Sequence, residues 1–113
     1  MKAVVEIEAG VCGFKTEAEV VCEDSQNVMF TINTNCEKIR QLSQIISNKG
    51  PIDAYQEISP AGPGVIMTAA KEMLKGCCSG CAVPAGLFKA MQVGAGLALP
   101  KDIKISLSKQ DEA

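Results

Sequence analysis

Residues 76–88, "GCCSGCAVPAGLF", place Cys77, Cys78 and Cys81 within five positions, just ahead of a proline suited to the first turn of a helix. Two further cysteines, Cys12 in "AGVCGF" and Cys36 in "TNCEKI", lie where one local pattern gives way to another. The Cys78-x-x-Cys81 spacing is that of zinc and iron–sulfur ligands. Two thiolates do not complete such a centre, and Cys12 and Cys36 are the candidates to do so. Cys77 is the alternative to Cys78 as the fourth ligand. The sixth cysteine, Cys22, falls on the inward face of a predicted strand and reads as a small core hydrophobe. The chain contains no histidine, which removes Ser-His and Cys-His nucleophilic sites and the usual zinc hydrolase ligand sets. "SPAGPGV" carries glycines but has no lysine and no preceding strand, so it is not a phosphate-binding loop. One catalytic alternative stands: thiol–disulfide exchange by Cys78 and Cys81. A helix precedes that motif, whereas the thioredoxin arrangement has a strand there. A scaffold or interaction domain with incidental cysteines is the second alternative.

The composition narrows the setting. At 113 residues the chain is read as a single domain, residues 1–113, with 108–113 a flexible tail. The first ten residues hold charges at positions 2, 6 and 8 and do not resemble a signal peptide. "VGAGLALP" is too short and too glycine-rich to span a bilayer. A cytoplasmic location is therefore expected, where thiols stay reduced and a cysteine cluster argues for metal or redox work. Net charge is −2 and the lysines are scattered singly, so no nucleic-acid or membrane partner is expected. A redox or protein partner is left open.

The elements that must position the cysteines follow from periodicity. Residues 2–9 alternate, with Ala3, Val5, Ile7 and Ala9 on one face, and predict a half-buried strand. "TEAEVVCE" (16–23) repeats the pattern with Ala18, Val20 and Cys22 inward. "DSQN" is turn chemistry, after which Val28, Phe30 and Ile32 define a third strand. Asn35 is a candidate cap for a helix from Cys36 to about Asn48, striped by Ile39, Leu42, Ile45 and Ile46. A short helical piece over Asp53–Ile58, a loop "SPAGPG" and a helix over Val65–Lys75 come next. Pro84 opens a last helix carrying Leu87, Met91, Ala95 and Ala98, which Pro100 stops. Ile103, Ile105 and Leu107 alternate with polar residues and predict a final strand. The expected fold is α+β: an antiparallel three-stranded meander plus a C-terminal strand, packed against three to four helices.

In a meander the first and third strands run the same way, so Cys12 and Cys36 share one end of the sheet. If the final strand runs parallel to either, the last helix also starts at that end, beside Cys77, Cys78 and Cys81. Two helix N-termini would then face one cluster and lower the thiol pKa values. The expectation is a compact four-thiolate metal centre formed by Cys12, Cys36, Cys78 and Cys81, holding an iron–sulfur cluster or zinc. Lys15 and Lys89 are the cations considered for offsetting its charge, with solvated positions the default for both. Gly94 and Gly96 are read as allowing close packing of helix on sheet.

The motifs "GVCGF", "NCEKI", "CAVPAGLFKA" and "GLALPKDIKI" together resemble a small, functionally uncharacterised family of cysteine-containing proteins from anaerobic bacteria and methanogenic archaea. The resemblance spans nearly the whole chain. It implies Cys12, Cys36 and Cys81 as site cysteines, with position 78 as the fourth. It also implies a glutamate in the last helix where this chain has Gln92, which leaves that position without an acid–base role. No activity comes with the resemblance.

Overall fold

The computed structural model describes residues 1–59 and 61–111. Pro60 of the expected loop, and residues 112–113 of the expected tail, lie outside them. The fold is α+β. Three strands, β1 (Lys2–Glu8), β2 (Lys15–Cys22) and β3 (Asn27–Thr34), form the expected antiparallel meander. Helix α1 (Glu37–Asn48) follows, then a two-residue strand β4 (Ile52–Asp53), a short helix α2 (Ala54–Glu57), α3 (Val65–Met73), a 3-10 turn over Gly76–Gly80, and α4 (Val83–Gly94). The sheet order is β1-β2-β3-β4, all antiparallel.

The alternation of each strand decides which face is covered. Ala3, Ile7, Ala18, Val20, Cys22 and Val28 are buried, whereas Val4 and Met29 on the other face are 70% and 50% exposed. That outer face carries the ion pairs Lys2–Glu19, Lys15–Glu6 and Lys15–Glu17, all between exposed side chains and of small energetic weight. Helix α4 lies over β1 and β2, α1 over β3, and α3 packs against both helices. Their apolar stripes (Ile39, Leu42 and Ile46; Ile66 and Ala69; Val83, Leu87 and Met91) meet the sheet in a common core.

Two close approaches fix how α4 sits. A Cβ on Gly86 would collide with Ile7 Cδ1, and one on Gly94 would stand 2.9 Å from Val20 Cγ1. Gly86 lies near the start of α4 and faces the C-terminal end of β1. Gly94, at the helix end, faces Val20 and Ala3 at the opposite end of that strand. Helix α4 therefore runs antiparallel to β1. Gly86, rather than Gly96, is the second packing glycine.

Gly96 has another task. With φ +78° it takes the left-handed position after α4, Gly96 N–H donates to Val93 O, and Leu97 N–H donates to Gln92 O. This is a Schellman stop, and it ends α4 before the expected limit at Pro100. Helix α3 also stops early, at Met73, because Gly76 (φ +65°) opens the tight 3-10 turn that carries Cys77 and Cys78.

The expected C-terminal strand does not form. Residues 101–111 are in no helix or strand, and Ile103, Ile105 and Leu107 are 54%, 69% and 93% exposed. The fourth strand is instead β4, beside β3. Alternation at 102–107 encodes a capacity to pair, and no neighbouring strand within the chain uses it.

Behind α3, the carboxylate of buried Glu57 accepts from Val65 N–H (2.6 Å) and Ile66 N–H (3.2 Å), satisfying the first amides of that helix. A Cβ at Gly64 would collide with this carboxylate, so the loop before α3 is fitted around it.

Candidate metal centre

The register sets one end of the sheet. Ile7 pairs with Thr16 and Thr16 with Thr34, so the β1–β2 turn and the exit from β3 lie side by side. The Thr16 and Thr34 hydroxyls share a hydrogen bond of 2.8 Å across the row. Cys12 lies in the turn, shaped by Gly10 (φ +93°) and Gly13 (φ +75°), with Gly13 N–H donating to Gly10 O at 2.9 Å. Cys36 follows β3. Because α4 runs antiparallel to β1, its first turn reaches the same end and brings Cys81 with it. The conclusion expected from a C-terminal strand thus holds for the helix without that strand.

Cys36 itself is the N-cap of α1, with extended backbone (φ −93°, ψ 122°) and no side-chain cap bond. Asn35, the expected cap, turns away to accept from Lys15 N–H at 3.3 Å. A cysteine therefore occupies a position at which Ser, Thr, Asp or Asn would satisfy an amide. The N-cap of α4 is Ala82, again without a side-chain cap bond. Just before it lies Cys81, whose thiol the nearby Val83 N–H favours in its charged form. Both twelve-residue helices thus begin beside sulfur rather than oxygen.

The thiol pKa of Cys81 is raised. Burial is the largest cause, offset in part by the Val83 amide, and the negative charges of Cys12, Cys36 and Cys78 push the same way as burial. This reverses the expected lowering, because desolvation of the sulfur outweighs a single amide donor. The same interactions place Cys12, Cys36 and Cys78 within electrostatic reach of Cys81. All six cysteines are free thiols. Cys78 is half-buried against the core, whereas Cys77 is exposed on the 3-10 turn.

The compact sphere of sulfurs is not what the structure holds. Among the described residues, no group of three or more Cys, Asp or Glu side chains is arranged so that it could hold a metal ion. Zinc–sulfur bonds of about 2.3 Å in a tetrahedron need sulfurs about 4 Å apart. The four thiols are neighbours across a wider space.

One basic residue at this edge escaped the sequence reading. Lys38 Nζ stands 3.7 Å from Cys78 Sγ, linking the first turn of α1 to the 3-10 turn. Its only signal was its place two residues after Cys36. Lys15 is instead engaged by Glu6 and Glu17, with its pKa raised chiefly by a hydrogen bond to Glu6, and Lys89 is exposed. Gln92 sits nine residues into α4, roughly 13 Å along its axis, and takes no part at this edge. Cys22 is 2% exposed at the far end of β2, its sulfur 3.8 Å from Asp24 Oδ1. Beside Cys81, an open groove of about 650 Å³ runs between α3 and α4, lined in part by Met67, Lys71, Leu74, Lys75 and Pro84.

Residues 3–107 match a family model described as "Family of unknown function (DUF6951)". No curated protein and no solved structure matches the chain. No helix among the described residues is long and apolar enough to cross a membrane.

Proposed function

The chain belongs to that family of unknown function, and we propose that its role is to hold a metal centre on Cys12, Cys36, Cys78 and Cys81. The observation that carries this reading is convergence. Four cysteines from four separate segments (a hairpin turn, a helix cap, a 3-10 turn and a helix entry) lie at one end of the sheet, with Cys81 within reach of the charges of the other three. Thiols gathered for packing alone would be buried, as Cys22 is, whereas Cys12 is exposed and the other three are half-buried. A set of four thiolates repels itself without a cation, and metal binding supplies the charge that deprotonates and orders them.

An iron–sulfur cluster fits this edge with less movement than a single zinc ion, because its thiolate positions lie farther apart than those around one metal. Zinc becomes the occupant if Cys12 and Cys78, both on turns, close inward. An anaerobic organism with a cytoplasmic, reducing setting suits either, and the cluster more. Lys38 and the uncapped helix starts would moderate the negative charge of the centre. A redox or protein partner would reach it along the groove past Lys71 and Lys75.

Thiol–disulfide exchange is the second reading, favoured by Cys81 at a helix start in a Cys-x-x-Cys pair. A half-buried sulfur with a raised pKa attacks disulfides poorly at neutral pH, which weighs against it. The two readings part on Cys12 and Cys36. Exchange needs only Cys78 and Cys81, whereas the metal centre needs all four. Cys12→Ser/Cys36→Ser protein is expected to lose bound metal and to give no acceleration of the reduction of a small-molecule disulfide by a dithiol over the rate without protein. Equal acceleration of that reduction by the variant and by metal-free wild type would replace the metal reading with exchange.

A further inference from the structure

The outer edge of β1 and the free segment 102–107 are complementary halves of one strand pairing. Cys22 N–H donates to Met1 O and Ala9 N–H donates to Phe14 O, so the odd-numbered residues of β1 exchange hydrogen bonds with β2. The N–H and C=O groups of Lys2, Val4, Glu6 and Glu8 therefore point away from β2, and β1 is the end of the sheet. An edge seven residues long with its backbone groups unpaired is a template for another strand.

Residues 102–107, "DIKISL", have the pattern that edge requires. With Ile103, Ile105 and Leu107 aligned to the face of Ala3, Val5 and Ile7, the apolar residues extend the layer beneath α4. Lys104 then falls on the solvent face, where β1 carries Glu6 and Glu8. Those carboxylates disfavour indiscriminate pairing and select a strand bearing a cation. The Schellman stop at Gly96 fixes how the segment leaves the body. Beyond it residues 99–111 are exposed throughout, and the molecule measures 51 Å along its longest axis against 29 and 27 Å across. Residues 97–102 alone reach about 20 Å when extended.

We propose that β1 is a docking edge for residues 102–107 of a second copy of this chain, the two copies exchanging C-terminal strands to form a two-fold dimer. Each copy then gains a fifth strand, and each covers the apolar residues the other exposes. The family match running to residue 107 places this segment within the domain. The pairing is independent of the cysteine edge and of whatever binds there.

Light scattering on the full chain after size-exclusion chromatography tests it, beside a chain ending at Lys101 and an Ile105→Asp variant. The full chain should have twice the 11.9 kDa monomer mass, and both variants should be monomers with unchanged far-ultraviolet circular dichroism. Hydrogen exchange should show the Val4 and Glu6 amides protected in the full chain and open in the truncated one. A monomeric full chain would overturn the proposal. So would a monomer whose Val4 and Glu6 amides are protected, since the strand would then pair within its own chain. Dimers that persist without residues 102–107 would overturn it equally.

Discussion

Replacing Cys36 by serine is expected to move stability in opposite directions with and without metal. In metal-free protein, serine at the N-cap of α1 gains the oxygen acceptor that the cysteine lacks, so the variant should be as stable as wild type or up to about 1 kcal/mol more stable. In metal-loaded protein the change removes a ligand. A metal held at a hundred to a thousand times its Kd stabilises the folded chain by roughly 3–4 kcal/mol, and loss of most of that lowers Tm by about 10 °C or more. Cys22→Ala is the control. Cys22 pairs with Val28 at the far end of β2, seven residues and roughly 23 Å from Lys15 at the cysteine edge, so its loss should cost a packing term of about 1 kcal/mol and leave metal content unchanged. Thermal melts with and without metal, beside metal analysis, read all of these. A Cys36→Ser variant whose melting temperature still rises with metal as much as that of wild type would show that Cys36 is only a poor cap.

Gly86→Val is expected to damage the site from a distance. A β-carbon there meets Ile7, and a branched side chain meets more of it, so α4 must lift from β1. Overpacking of this kind costs about 1–3 kcal/mol, or roughly 5–10 °C in Tm for a domain of this size. In open surroundings the same change in a helix would be mildly favourable, because glycine is the poorer helix former. The sign therefore reports the contact. Lifting the first turn of α4 also draws Cys81 away from Cys12 and Cys36, so metal affinity should fall together with Tm. Adding Ile7→Ala, which makes room, should restore part of both. Gly80→Ala, where a Cβ meets nothing within 4 Å, should change neither. Normal metal affinity in Gly86→Val would separate the packing of α4 from the centre.

These two positions show how far the sequence could be read. The meander, the inward faces of β1 and β2 and the stripe of α1 were legible because alternation and 3.6-residue spacing report burial directly. The shared end of Cys12 and Cys36 followed from strand direction alone. Gly86 was not legible, since a glycine inside "PAGLF" does not say which side chain lies beneath it. The cap of α1 was assigned one residue early because Asn35 is the better capper by type, and its amide oxygen is drawn instead to Lys15 N–H across the sheet end. The direction of the Cys81 pKa shift was missed for a related reason. Helix starts announce themselves in sequence, whereas the burial that opposes them depends on tertiary packing. At 103–107 the alternation predicted a strand that does not form, because periodicity reports a capacity to pair and says nothing of whether a neighbouring strand is there to use it.

The claim at the centre of this account is that four thiols hold one metal centre. The direct measurement is iron, zinc and acid-labile sulfide content, with the absorption spectrum, of protein purified without oxygen and after reconstitution under reducing conditions. The account predicts one centre per chain. It would be either iron with sulfide, giving a brown protein bleached by dithionite, or a single zinc, and in both cases absent from Cys36→Ser. Protein that contains neither metal, and takes up neither when supplied with zinc or with iron and sulfide, would contradict it.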